Sequence, residues 1–289
     1  MSDYYLKVFT DKSEIVHADG TSEVFSEGSS SVDARTRYHQ IEEALKSGFL
    51  EKQIVLCRDH PSGIDYSTLI NQHTSLIDRL VDSVTSEVGR ALIGLTTLQL
   101  SVKAIVPEQS IRLHKGGGAA NNFSWKEGIS MRSLDKKHIT PILRHHDLLK
   151  LNADGFMMTR SLAENYPYSK VYKANLRGAR NEWIEIVEEI ETGRMDALLS
   201  LQYMLSKLIN NAQAFKTLAS DTIVSLENFL TKTRPLSKEK STKIIFDHIN
   251  KSDYAARLME ISMHSLMQAL QKFGVFGSME LKPLSQMRS

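Results

Sequence analysis

The chain has a single cysteine, Cys57, in 289 residues. One thiol excludes an internal disulfide framework and most cysteine metal sites, and it suits a reducing compartment. Cys57 lies in the apolar run 54–57, where packing outweighs nucleophilic chemistry. Long apolar runs are also missing. The opening MSDYYLKVFTDK has no signal-type apolar core, and no stretch approaches the ~20 apolar residues of a membrane span. These absences predict a cytoplasmic protein with no membrane partner. Overall charge is scarce as well, at +2, which by itself says little about partners.

What is present is a workable core and an uneven charge distribution. Hydrophobic residues make up 41% of the chain and charged residues 24%, ordinary values for a globular protein. Residues 103–180 carry fourteen Lys/Arg against six Asp/Glu. That is +8, against +2 for the whole chain, which leaves −6 for the rest. A concentrated basic segment in a near-neutral chain predicts a local polyanion-binding surface. A merely solvated face is the plainer alternative.

Short alternating runs at 4–9, 14–17 and 23–25, parted by turn formers such as Asp19-Gly20, predict a small meander. Asp33 then caps a helix with Tyr38, Ile41, Ala44 and Leu45 on one face and Gly48 closing it. Residues 53–57 read as a strand, and HPSG at 60–63 as a turn. Residues 66–93 repeat apolar side chains at helical spacing. A second helical segment, 95–106, stops at Pro107, with Thr96, Thr97 and Gln99 expected to face solvent.

SIRLHK at 110–115 ends in Gly116-Gly117-Gly118. A phosphate loop needs Lys and Ser/Thr after the last glycine, and here Ala119, Ala120, Asn121 and Asn122 follow. A flexible loop is the expectation, one that orders on phosphates when DNA is bound.

The stretch 133–160, SLDKKHITPILRHHDLLKLNADGFMMTR, is the most definite proposal in the chain. An uninterrupted helix would place Pro141 inside it, at about 3 kcal/mol. Two pieces hinged at Thr140-Pro141, with Pro141 at a favoured first position, avoid that penalty. The hairpin at 150–159, turning at 152–155, then supplies a wing. Helix-turn-helix plus wing is a DNA reader: Arg and Lys bond guanine edges or neutralise phosphates. The contact set is Arg112, Lys115, Arg132, Lys136, Lys137, His138, Arg144, His145, Lys150, Asn152 and Arg160. Lys170, Lys173, Arg177 and Arg180 follow at helical spacing as a second grip on the duplex. His145-His146 is not read as a metal site, since adjacent helix residues face apart; one is a contact and the other packs.

From residue 181 the chain reads as almost wholly helical, at 182–191, 196–215, 219–231 and 240–273, with breaks at Gly193 and Arg234-Pro235. Short connections predict an antiparallel bundle that completes the domain or forms a homodimer. The resulting fold class is mostly α with small α+β elements: an α+β subdomain at 1–65, a helical scaffold plus central winged helix-turn-helix at 66–165, and a C-terminal helical bundle at 166–289.

Catalytic patterns are thin. A Mg²⁺ nuclease of the restriction type needs an Asp and an acidic-x-Lys triplet on adjacent strands. Asp135-Lys136-Lys137 and Glu280-Leu281-Lys282 are the only candidates. Arg257 with His264 suggests a helical-bundle ribonuclease, at loose spacing. Taken with its basic helix, wing and following Tyr/Lys/Arg helix, the 95–180 region resembles the DNA-recognition part of prokaryotic restriction endonucleases. That resemblance implies sequence-specific binding of double-stranded DNA. It also implies cleavage by a Mg²⁺-dependent domain outside this chain, which itself holds no cofactor. A winged-helix transcriptional regulator with a helical dimerisation domain is the first rival. A helical scaffold or ribonuclease-like defence protein is the second.

Overall fold

The computed structural model describes residues 4–115, 125–149, 166–171, 179–232, 237–251, 255–277 and 281. Helix accounts for 66% of the chain, beside one small antiparallel sheet, so the mostly α architecture holds. The chain forms two compact units, Met1–Phe215 and Lys216–Ser289.

The first unit opens with the meander: β1 (Tyr5–Val8), β2 (Lys12–Val16) and β3 (Ser22–Ser26), paired antiparallel in that order. Leu6 sits opposite Ile15, and Ile15 opposite Glu23. Gly20, at φ +86°, allows the tight β2–β3 turn, and the Asp19 carboxylate accepts from both the Thr21 N–H and its hydroxyl. Ile15 and Phe25 face inward and close a small core with Leu113 and Trp125.

Helix α1 (Val32–Lys46) is capped by the Ser31 hydroxyl, which accepts from the Ala34 N–H at 2.9 Å; the cap is therefore Ser31 rather than Asp33. Gly48, at φ +82°, turns the chain into α2 (Phe49–Asp59). This helix replaces the strand expected at 53–57. Leu50, Ile54 and Cys57 recur every three to four residues and are all buried, so the apolar run is the inward face of a helix.

The expected long helix at 66–93 is instead α3 (Asn71–Asp82), a 3₁₀ turn and α4 (Glu87–Ile105). Ser86 caps α4 by accepting from the Gly89 N–H. Gly89 is demanded by its neighbours, because a Cβ there would stand 1.9 Å from the Ser83 carbonyl oxygen. From Ala91 to Val102 every residue of α4 is buried, which marks it as the central helix of the unit. Thr96, Thr97 and Gln99, expected outside, therefore lie inside. The hydroxyls of Thr96, Thr97 and Ser101 donate to carbonyls four residues back, at 2.7–2.8 Å. Gln99 donates to the Ile111 carbonyl and accepts from the Trp183 indole at 2.8 Å. Satisfied polar groups of this kind can be buried at little net cost.

Helix α5 (Met131–Leu134), a π turn (Asp135–Ile139) and α6 (Thr140–His145) follow without a break in the winding. The hinge expected at Thr140-Pro141 is thus absorbed by the π turn. The Thr140 N–H bonds the Asp135 carbonyl five residues back, and Pro141, with no N–H to offer, follows in the first turn of α6. The wing at 150–160 lies outside the described residues. Helices α7 (Arg180–Glu191) and α8 (Ala197–Lys232) complete the main core, with Trp183, Ile186, Val187, Leu201, Met204, Leu205 and Leu208 buried. The helices expected separately at 196–215 and 219–231 are one helix of 36 residues.

In the second unit, α9 (Lys238–Asn250) is capped by Ser237 and α10 (Ala255–Lys272) ends before Gly274, at φ +75°. Among the described residues no helix is long and apolar enough to cross a membrane.

Candidate nucleic-acid interface

Side chains of α1 and α2 reach the 129–146 segment at a few points. Tyr38 bonds Ser133. Lys137 Nζ donates to Glu42 at 2.8 Å, and this hydrogen bond, helped by the lysine charge, holds the Glu42 carboxyl below the usual range. His146 Nε2 lies 2.6 Å from Glu51 on α2, and the Arg58 guanidinium is 3.1 Å from His146 Nδ1.

Where α1 and the 129–146 segment begin, they enclose a cleft of about 140 Å³. Ser30, Ala34, Arg35, Tyr38, His39 and Lys115 line it, together with the 128–130 backbone, and among the described residues no carboxylate does. Arg35 and His39 are exposed and stand one helical turn apart on α1. The Arg35 guanidinium donates to the Ser30 carbonyl at 2.6 Å, which braces it over the opening. The Ser30 hydroxyl is buried and has no partner. An unused donor beside three basic side chains is an arrangement that favours an anion.

The same α1 face continues through Glu42 to the exposed Lys46. Beside it, Lys136, Lys137, Arg144 and His145 are exposed, and Arg132 is half-buried. Each of these members of the expected set lies on the described 131–145 segment. His145 points outward while His146 is tied to Glu51, the division expected for adjacent histidines. His138 departs from expectation: it is half-buried, its Nε2 has no partner, and burial lowers its pKa, which disfavours the charged form a phosphate contact needs.

Arg112 is the clearest correction. It is fully buried, with Nη2 at 2.9 Å from Glu188 and 3.3 Å from Glu23, and Nη1 donating to the Tyr168 carbonyl. Burial opposes its charge, yet Glu23 and Glu188 hold its pKa above the ordinary value. Tyr4 donates to the same Glu188 carboxylate at 3.0 Å, and His17 reaches Glu23 at 2.8 Å. Arg112 therefore joins the meander to α7 and cannot touch a duplex from there. Lys170 is exposed but paired with Glu185 at 2.9 Å, and Arg180 is half-buried with a buried, unpartnered Nε. Tyr168 stacks edge-on against Trp183 in the core. Lys150, Asn152, Arg160, Lys173 and Arg177 lie outside the described residues.

The Asp135-Lys136-Lys137 triplet is not placed for metal work. Asp135 is buried in a helical segment, its carboxylate accepts from Thr140 at 3.0 Å, and burial pushes its pKa up to about 6. Glu280 and the Arg257 side chain fall outside the description. Among the described residues no group of three or more His, Cys, Asp or Glu can hold a metal ion. No protein family, curated protein or solved structure matches the chain.

Arg35 and His39, which line the cleft, lie outside the basic 103–180 segment in which the sequence places the contact set. The available signal was their i, i+4 spacing with Lys46 further along the same face.

Proposed function

We propose that the chain binds double-stranded DNA through the phosphate backbone, along the surface shared by α1 and residues 129–146. The carrying observation is the cleft between Arg35, His39 and Lys115, which no carboxylate lines among the described residues. A phosphate oxygen there would meet the Ser30 hydroxyl and two permanent cations in a partly desolvated setting, where charge-assisted bonds are strongest. The 131–145 run is about 22 Å long at 1.5 Å per residue, enough to follow several phosphates. Arg144 and His145, at its far end, are the side chains proposed to reach base edges and give sequence preference.

This reading keeps target recognition and leaves cleavage to a Mg²⁺-dependent domain elsewhere. It does not depend on a wing.

Fluorescence anisotropy on a labelled duplex, titrated across salt, tests it. Binding should weaken steeply with salt, and Arg35→Ala and Lys115→Ala should each lower the slope of log K against log salt by about 1. Absent or salt-insensitive duplex binding overturns the proposal.

A further inference from the structure

The second compact unit scarcely buries its own apolar side chains: of its described residues only Ile249 is buried. On α10 the exposed Met259, Met263 and Leu266, the half-buried Leu270 and the exposed Phe273 follow one another at intervals of four, three, four and three. That is the seam of a two-stranded coiled coil, which repeats every 3.5 residues. Phe273 lies just past the helix end but keeps its register, because its N–H still bonds the Ala269 carbonyl.

We propose that α10 pairs with α10 of a second copy of this chain through that seam, making the protein a homodimer. The seam is self-complementary, since equivalent positions on two identical helices meet about a two-fold axis. Beside it stand Ser262 and Ala269, small residues that allow close approach. With Met263 and Leu266 each 52% exposed and Phe273 85% exposed, the five side chains offer on the order of 500 Å² per copy. A pair therefore buries roughly 1,000 Å², the threshold for a specific interface. The inference is independent of DNA binding.

The test is sedimentation velocity on the full chain from about 1 to 100 µM, free of nucleic acid. The expected result is a species of twice 32.6 kDa that becomes monomeric in the Met263→Glu/Leu266→Glu double variant, with helical circular dichroism retained. Leu266 is the midpoint of the seam, so it meets its counterpart whether the helices run parallel or antiparallel. Leu266→Cys should therefore form a disulfide-linked dimer on oxidation, and buried Cys57 will not compete. That variant decides the matter if the double variant unfolds. A monomer throughout the range, a dimer indifferent to the double variant, or no Leu266→Cys cross-link each overturns the proposal.

Discussion

The Thr140 hydroxyl donates to the buried Asp135 carboxylate at 3.0 Å, across the same five-residue interval that the Thr140 N–H spans to the Asp135 carbonyl. Side chain and backbone together hold one wide turn closed. The segment carrying the proposed DNA contacts thus winds straight past a proline that the sequence alone reads as a hinge.

Asp135 should make stability depend on mild acidity. Its folded pKa is raised, to about 6 from 3.8, so the folded state holds the proton more tightly than the unfolded chain. The stability it contributes is complete below about pH 4 and lost as pH rises through 6, by on the order of 3 kcal/mol. Asp135→Asn should remove that slope, since its amide oxygen can still accept from Thr140. Urea titrations of both proteins between pH 4 and 7.5 check this, and parallel pH profiles would rule it out.

Arg112 should matter to folding rather than to DNA contact. Arg112→Met leaves Glu188 buried without its cation, and a loss of about 3–5 kcal/mol is expected. Adding Glu188→Met should recover part of that loss, because an apolar pair avoids the desolvation of two charges. Denaturant melts of the three variants decide it; a double variant no better than the single one contradicts the account.

Gly89→Ala should destabilise by about 1–3 kcal/mol or more, since its Cβ would collide with a carbonyl oxygen rather than a movable side chain. Thermal melting reads this directly. An unchanged midpoint would mean that the junction between α3 and α4 relaxes freely.

Glu42 restrains the proposed interface. Its carboxylate occupies Lys137, so Glu42→Gln should free a cation and remove a like charge facing the phosphates. A duplex affinity about two- to fivefold tighter at low salt is expected, fading as salt screens the surface. Unchanged or weaker binding would place the duplex elsewhere.

Local chemistry was legible from residues. The meander, the turn at Asp19-Gly20, the helix end at Gly48 and the helical periodicity of the C-terminal half all depend on neighbours within a few positions. The proposed site was half legible: Lys136, Lys137, Arg144 and His145 stand out in the sequence as exposed cations of one segment, while Arg35 and His39 do not. They enter only because α1 reaches a segment roughly 95 positions away, as the Lys137–Glu42 pair records.

Periodicity fixes which face of an element is apolar, and the chain alone determined that much. Whether a polar residue lies inside is set by the partner that compensates its lost hydration, and that partner is distant in sequence. Gln99 is buried because Trp183 and Ile111 receive it, and Arg112 because Glu188, 76 positions on, does. The strand that became α2, the buried face of α4 and the inward Arg112 were therefore decided by tertiary packing, where hydrogen bonds and charge pairing across long separations outweigh local preference.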